Sequence, residues 1–566
     1  MKKYIKYATL CPILMILEVI ADIAIPYLMS RIVDVGIANQ DIEYVLKIGL
    51  IMVAAALAGM TFGIISSHYG AKAGFGFASE IRFKLFEKIQ GFSFANLDKF
   101  TVASLITRLT NDCNTLGQVT MMSLRMAVRA PFMMIFALFM ALRINASLAR
   151  VFVVSIPALV IVLTIILSKA RPMFLLMQTK IDRVNAIIRE NLTAIRVVKS
   201  FNRQNHEEAR FKERNDSLRD TALRAISLIV FLMPVLSIVT YSTIVAVLWF
   251  GGRQVASGSM ETGELISFIT YITQILMSLM MMSFFFMQLL RATASVTRIV
   301  EVLNTESEIK EDENPIRELP DGSVAFEGVS FRYPGSSEKT LKNINFHINS
   351  GEVLGIIGST GSSKSTLVQL IPRLYDTTEG RVLVGGIDVK RYDIKALRDK
   401  VAFVLQKNTL FSGTIRENMK WGNEKASDEE IIHALKLAQA WEFVSKYKDG
   451  LDHRVDQGGE NFSGGQKQRL TIARALLKSP KIIILDDSTS AVDMATDAKI
   501  QRIFKDELKD VTTIIIAQRV SSIQYADRIL VINEGEIEAS GKHEDLLLSS
   551  PIYREIYESQ QRGVGA

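Results

Sequence analysis

The residues best suited to chemistry form a run rich in glycine and serine that directly follows a short apolar strand. The strand reads VLGII and the run, GSTGSSKST, opens a helical pattern. In a phosphate-binding loop of this kind, backbone N–H groups and the helix N-terminus surround the phosphates, a lysine reaches the terminal ones, and the next hydroxyl holds Mg²⁺. Lys364 and Ser365 occupy those last two positions. The residues predicted to bind the phosphates are Gly358, Ser359, Thr360, Gly361, Ser362, Ser363, Lys364, Ser365 and Thr366.

One position of the loop departs from the motif. The motif has glycine directly before the lysine, and this chain has Ser363. A side chain there either crowds the phosphates or holds the backbone at an angle that only glycine adopts freely. We therefore expect phosphate binding with altered geometry.

A second apolar strand, 481–485, ends in two acidic residues. The first of them, Asp486, stands where a carboxylate can hold Mg²⁺ directly or through water. The second, Asp487, follows at once. A phosphate loop combined with an acid-ended strand is highly specific for a nucleotide-binding domain.

The elements around these motifs alternate between short apolar runs and helical patterns, which predicts a mainly parallel sheet covered by helices. This α/β domain is predicted over residues 323–566. Before it, residues 304–322 are charged, contain two prolines and lack periodicity, so they are predicted to form a linker.

The first half of the chain, residues 1–303, has a different composition. A bilayer core of about 30 Å needs about 20 apolar residues in a helix. Six stretches meet that length, near 8–29, 45–67, 127–145, 149–168, 227–250 and 265–290. The long segments 68–126 and 169–226 are basic and helical in pattern, so they are predicted to extend the membrane helices into the cytoplasm.

Two carboxylates, Glu18 and Asp22, lie one helical turn apart inside the first predicted span. Each would cost roughly 2.5–3.5 kcal/mol if it faced lipid, so both should face the interior of the bundle. Two interpretations stay open, a site for protons or the cationic part of a substrate, and an internal polar pair bonded to neighbouring helices. A run rich in Met and Phe in the last span suits either loose binding of apolar molecules or ordinary packing.

Charge and cysteine content exclude other classes of protein. The chain of 566 residues has a formal net charge of +7, but its Lys and Arg residues lie mainly between apolar runs, which argues against nucleic-acid binding. Cys11 and Cys113 are far apart and lack metal-like spacing, so neither a disulfide framework nor a zinc site is expected.

Between the loop and the acid-ended strand lies NFSGGQKQRL. Together these motifs resemble the ATP-binding cassette (ABC) transporters, and six spans followed by one cassette resemble a half-size exporter of the bacterial multidrug type in a cell membrane. The resemblance implies ATP and Mg²⁺ as cofactors, adenine stacking on Tyr333, and Gln406 in a loop facing Mg²⁺. The segment SAVD, residues 490–493, follows the two acids, as in that family. The segment implied to contact ATP bound to a second cassette comprises Ser463, Gly464, Gly465 and Gln466.

The resemblance implies that two cassettes pair head to tail and that cytoplasmic helices, here near 94–97 and 193–199, transmit their closure to the membrane. It also exposes two departures besides Ser363. Asp487 stands where active members carry a glutamate base, and Gln518 stands where they carry a histidine. The chain is therefore similar to the degenerate subunit of a heterodimeric exporter, whose partner would have an intact Glu and His.

Three functions follow as hypotheses. The first is this asymmetric exporter of hydrophobic, amphiphilic or cationic compounds, including lipids. The second is a homodimeric exporter with unusual catalytic residues, which predicts ATP hydrolysis by this chain alone. The third is a regulatory or channel-like protein gated by ATP.

Overall fold

The computed structural model describes residues 2–359, 361–487 and 494–562. Its contacts divide the chain into two compact units. The first comprises Met1–Ile89 and Ala103–Asn304, and the second comprises Gln90–Val102 and Thr305–Ala566. Of the sequence-predicted residues, Thr360 and the segment 490–493 lie outside the described part of the chain.

Long helices form the first unit. Within the described residues, six helical stretches are long and apolar enough to cross a membrane, which confirms the predicted six-helix membrane domain. The helices of this region are α1 (Ile5–Arg31), α2 (Ile42–Gln90), α3 (Phe94–Lys99), α4 (Val102–Thr107), α5 (Cys113–Ile144), α6 (Val151–Thr193), α7 (Ile195–Ser200), α8 (Gln204–Val230), α9 (Leu232–Ala256) and α10 (Thr262–Asn304).

Several of these helices exceed the thickness of a bilayer. Helix α2 has 49 residues, which at 1.5 Å per residue gives a length of about 70 Å. The predicted cytoplasmic extensions are therefore continuous with the membrane spans. Helix α5 follows a π-helical turn at Arg108–Asp112. Asp112 there accepts hydrogen bonds from Arg298 and Ser295 of α10, which ties these two helices together.

Most of the second unit is an α/β domain. Its strands are β1 (Val324–Phe331), β2 (Leu341–Ile348), β3 (Val353–Ile357), β4 (Glu379–Val384), β5 (Ile387–Asp388), β6 (Val401–Val404), β7 (Gly413–Thr414), β8 (Arg454–Val455), β9 (Ile482–Asp486), β10 (Thr512–Ile516), β11 (Arg528–Asn533) and β12 (Glu536–Gly541). Its helices are α11 (Lys364–Gln369), α12 (Ile394–Lys400), α13 (Ile415–Lys420), α14 (Asp428–Leu437), α15 (Trp441–Val444), α16 (Gly464–Leu476), α17 (Met494–Glu507), α18 (His543–Ser549) and α19 (Pro551–Arg562).

The main sheet has the strand order β12-β11-β3-β10-β9-β6, and all its neighbouring strands are parallel except β11 and β12. Strands β9 and β10 are buried throughout, as expected for a parallel sheet covered on both faces. A second, antiparallel sheet has the order β2-β1-β4-β5. From the sequence, only the mainly parallel sheet was predicted.

Helix α3 belongs to the second unit although the membrane helices surround it in sequence. Phe94 packs edge-on against Tyr375 with ring centroids 5.9 Å apart, and the Tyr375 hydroxyl donates to Asp98 at 2.6 Å. Asn96 donates to the carbonyl of Glu306 at 3.0 Å. The segment 94–97 thus packs on the α/β domain. The other segment suggested to transmit closure, 193–199, lies in the first unit.

Candidate nucleotide-binding site

The phosphate loop connects β3 to α11, at the carboxyl end of a parallel strand. The backbone geometry explains its glycines. A Cβ atom on Gly358 would collide with the carbonyl oxygen of Ile532 on β11, and Gly361 has a φ of +85°. Both positions therefore require the absence of a side chain, one for space and the other for backbone conformation.

The lysine of the loop is oriented by neutral groups. The Nζ of Lys364 donates to the carbonyls of Gly358 at 3.0 Å and Ser359 at 2.8 Å, and to the Oγ of Ser362 at 3.1 Å. Burial lowers the pKa of this ammonium group, although nearby Asp486 and Asp487 act in the opposite direction. A cation held by neutral oxygens keeps its charge available, so this loop fits a phosphate ligand.

The loop also meets the acid-ended strand. The Oγ of Ser365 donates to Oδ1 of Asp486 at 2.9 Å, which brings together two of the side chains predicted to hold Mg²⁺. Asp486 is buried at the end of β9, and this burial raises the pKa of its carboxyl group. A hydroxyl and a carboxylate fit the oxygen ligands that Mg²⁺ prefers, and the bound ion would neutralise phosphate charge.

Tyr333 and Gln406 are the residues predicted to contact adenine and Mg²⁺, and the structure connects only the first of them to the phosphate loop by a described hydrogen bond. Tyr333 is half-buried, packs edge-on against Tyr375 and shares a hydrogen bond of 2.9 Å with the Oγ1 of Thr366. Gln406 lies two residues beyond the end of β6 and is exposed. In the described part of the chain, no hydrogen bond connects its side chain to Ser365 or Asp486.

The three unusual positions have distinctive geometry. Ser363 has φ 71° and ψ 21°, the left-handed conformation that its motif assigns to glycine. Asp487 also has a positive φ, of 50°. The Nε2 of Gln518 donates to Oδ2 of Asp487 at 2.7 Å, so the structure brings two of the three substituted residues into direct contact.

The signature segment forms the start of α16. The Oγ of Ser463 accepts from the N–H of Gln466 at 3.3 Å, and the Oε1 of Gln466 accepts from the N–H of Ser463 at 2.9 Å. This reciprocal pair is a capping box, which fixes the helix start with Gly464 and Gly465 as its first residues. From the same helix, Gln468 donates to the carbonyl of Asp487 at 3.3 Å.

Comparisons with known proteins agree with this architecture. Residues 9–279 match the family described as ABC transporter transmembrane region, and residues 341–490 match the family described as ABC transporter. An uncharacterized ABC transporter ATP-binding protein of Bacillus subtilis (strain 168), YfiB, is 40% identical over 560 residues, which cover 99% of this chain and 97% of that protein.

The chain belongs to the ABC transporter family. Its membrane and cassette domains make it a half-transporter of an ATP-driven exporter, a multi-pass membrane protein with a cytoplasmic nucleotide-binding domain. A putative multidrug export ATP-binding/permease protein of Bacillus subtilis (strain 168), YgaD, is 32% identical over 482 residues, covering 85% of this chain and 83% of that one. The structure of a bacterial Atm1-family ABC exporter with ATP bound superposes with a TM-score of 0.83 at 24% identity, covering 98% of this chain and 99% of the other, which establishes the shared fold.

The membrane unit of this ABC half-transporter contains the second cluster singled out in the sequence. Glu18 and Asp22 of α1 both form ion pairs with Arg129 of α5, the latter at 2.8 Å. The Oε2 of Glu18 is buried and, among the described residues, has no hydrogen-bond partner. The structure therefore brings the two carboxylates together and adds a counter-ion that the sequence analysis missed.

A signal for Arg129 was present in the sequence. It lies inside the apolar stretch predicted near 127–145, and a basic residue there needs a buried acidic partner as much as the two carboxylates need a basic one. Gln468 carried no comparable signal, because its contact with Asp487 depends on how α16 packs against the sheet.

Proposed function

We propose that this chain is one subunit of a heterodimeric ABC exporter and that its own ATP site mainly retains nucleotide. The observation that carries the proposal is the contact between Gln518 and Asp487. An amide can donate to a carboxylate, but unlike imidazole it cannot take up a proton or carry charge at neutral pH. This pair therefore offers no proton relay to a water molecule.

The short side chain of Asp487 also supports slow hydrolysis. Its side chain is one methylene shorter than that of the glutamate base that the family resemblance implies, a difference of about 1.5 Å in bond length. One of its carboxylate oxygens is already engaged by Gln518. Since a well-placed general base typically contributes about 10²- to 10⁴-fold to a rate, we infer that hydrolysis is slow at this site.

The groups that bind ATP are retained by contrast. We propose that the phosphate loop with Lys364 holds the phosphates, that Tyr333 stacks on adenine, and that Ser365 and Asp486, with Gln406, hold Mg²⁺. The capped start of α16, at the positive end of the helix dipole, would complete the ATP site of the partner subunit. We likewise propose functional boundaries at 1–303, 304–322 and 323–566, which agree with the end of α10 at Asn304 and the start of β1 at Val324.

For the substrate, we propose hydrophobic or amphiphilic molecules, lipids included, of which some carry a positive charge. The cluster of Glu18, Asp22 and Arg129 contains two carboxylates and one guanidinium, so one negative charge lacks a counter-ion within it. A cationic group or a proton would supply the missing charge. The relative YgaD is named as a putative multidrug export ATP-binding/permease protein, which supports this substrate class.

The test compares the two ATP sites of the assembled transporter. The tagged chain is purified from its native membrane with the half-transporter that accompanies it, and ATP hydrolysis is measured in lipid nanodiscs. We expect Asp487→Glu to change the rate by less than about threefold, whereas Glu→Gln at the partner's catalytic position should lower it by about 10²-fold or more. Rapid, substrate-stimulated ATP hydrolysis by this chain without a partner would refute the proposal and favour the homodimeric exporter.

A further inference from the structure

The last helix of the chain touches the segment that follows β10. The side-chain amide of Gln560 on α19 contacts the backbone at two points. Its Nε2 donates to the carbonyl of Gln518 at 2.8 Å, and its Oε1 accepts from the N–H of Val520 at 2.9 Å. One planar group thus holds the backbone on both sides of Arg519.

The sequence of α19 places Gln560 on the packed face of the helix. Ile552, Ile556 and Gln560 recur every four residues, and both isoleucines pack against the larger core of the α/β domain. Tyr553 on the same helix is fully buried, and its hydroxyl shares a hydrogen bond of 2.7 Å with His543. Gln560 therefore extends from a firmly packed helix, while the next residue, Gln561, is exposed.

The two backbone groups that Gln560 contacts belong to the connection that follows β10, where Val520 and Ser522 are buried and Ser522 also donates a hydrogen bond to Asp497. Val520 begins a short 3-10 helix, Val520–Ser522, whose preceding residue Arg519 provides no side-chain cap. The first N–H groups of a helix have no partner within the helix and need one elsewhere. Gln560 caps this turn from a distant part of the sequence and at the same time holds the carbonyl of Gln518.

We propose that Gln560 is a positioning residue for the ATP site: it fixes the backbone from which Gln518 reaches Asp487, and so links the C-terminal helix to that site. The inference rests on the proposed role of Gln518 at the ATP site and adds a residue about 40 positions away in sequence. Without the contact, the Gln518 side chain would keep its chemistry, but the backbone that carries it would move more. Its hydrogen bond to Asp487 would then form only part of the time.

The experiment uses the full-length chain assembled with its partner in nanodiscs. Gln560→Met keeps the length and packing of the side chain but removes both hydrogen bonds, and Gln561→Met on the exposed side is the matched control. The rate at which bound ³²P-labelled Mg-ATP is lost is measured by rapid filtration, together with the turnover number for ATP hydrolysis. Amide hydrogen exchange over residues 518–522 reports the backbone contact directly.

We expect Gln560→Met to accelerate ATP loss by about three- to tenfold, the factor expected when one ordinary hydrogen bond, here that of Gln518 to Asp487, is weakened. Exchange over 518–522 should also become faster, and Gln561→Met should change neither. The decisive measurement is a double-mutant cycle. In a Gln518→Ala background, Gln560→Met should have almost no further effect on ATP loss, because the proposed action passes through Gln518.

Additive effects of the two substitutions would overturn the proposal, since Gln560 would then act through general stability. Unchanged hydrogen exchange in Gln560→Met would overturn it as well. If the site turns out to hydrolyse ATP rapidly, the proposed function fails, but the positioning role of Gln560 remains testable. The same double-mutant cycle is then measured on the turnover number, and non-additive effects support that role.

Discussion

The membrane unit and the nucleotide-binding unit each contain a cluster of charged side chains, and they neutralise charge differently. In the membrane unit, Arg129 is paired with Glu18 and Asp22, so charged groups face one another. In the nucleotide-binding unit, Lys364 is held by backbone carbonyls and Asp486 by a hydroxyl. Neutral partners orient a charge without cancelling it, which leaves the second cluster free to bind a charged ligand.

The contrast bears on the role of a carboxylate that lies in an apolar helix. Such a carboxylate first needs a counter-ion for the helix to remain in the membrane. Glu18 and Asp22 share one in Arg129, so the guanidinium has a structural role and one negative charge remains for a cationic group or a proton. Among the described residues, the hydrogen-bond partners of Lys364 are neutral oxygens, although Asp486 and Asp487 lie near enough to act on its charge.

The largest effect that tests this comparison is expected from Arg129→Ala. Removing the guanidinium leaves two partly buried carboxylates without their counter-ion, a change that typically lowers the free energy of unfolding by about 3–5 kcal/mol. Thermal unfolding of the protein in nanodiscs measures the loss. Arg143→Ala is the matched control, because Arg143 lies on the same helix and is exposed.

A triple variant, Glu18→Gln, Asp22→Asn and Arg129→Gln, sharpens the test. It removes all three charges while keeping side chains of similar size, so most of the lost stability should return. If Arg129→Ala were as stable as Arg143→Ala, the cluster would not be a structural ion pair, and the contrast between the two units would break down.

A smaller effect is expected from Lys364→Ala in the other cluster. The ammonium group has neutral partners, so its removal should affect folding little but weaken ATP binding, because charge-assisted hydrogen bonds contribute about 1.5–3 kcal/mol, or roughly 10- to 150-fold in affinity. Equilibrium binding of Mg-ATP measures the dissociation constant, with exposed Lys448→Ala as the control. An unchanged dissociation constant would mean that ATP does not use this loop.

Features that depend on local motifs could be predicted from the sequence alone. The phosphate loop and the acid-ended strand are local motifs, so the order β3, loop, α11 and the pairing of Ser365 with Asp486 could be expected from residue types and spacing. The six spans could be predicted equally well, because each contains its own run of apolar residues.

Contacts between distant segments could not be predicted in the same way. Arg129 meets Glu18 across 111 positions, and Gln560 meets Gln518 across 42. Arg129 is recognisable as a basic residue in an apolar stretch, but its partners, like the contact of Gln560 with Gln518, depend on how distant segments pack in the fold. The antiparallel sheet was missed for a different reason: the prediction relied on continuous apolar runs, whereas β2 alternates apolar and polar residues from Asn343 to Ile348.

The smallest expected effect concerns Ser363, where the nucleotide-binding cluster departs from its own motif. A residue with a Cβ atom in the left-handed conformation costs roughly 1–2 kcal/mol, while glycine loses about 0.5–1 kcal/mol more conformational entropy on folding. Ser363→Gly should therefore stabilise the nucleotide-binding unit by about 0.5–1 kcal/mol, seen as an increase of about 1–4 °C in its unfolding temperature without nucleotide. Ser363→Ala separates the two possible causes, since it removes the hydroxyl and keeps the φ of 71°. Equal stabilisation by alanine and glycine would show that the hydroxyl, rather than the backbone conformation, is the source of strain in the loop.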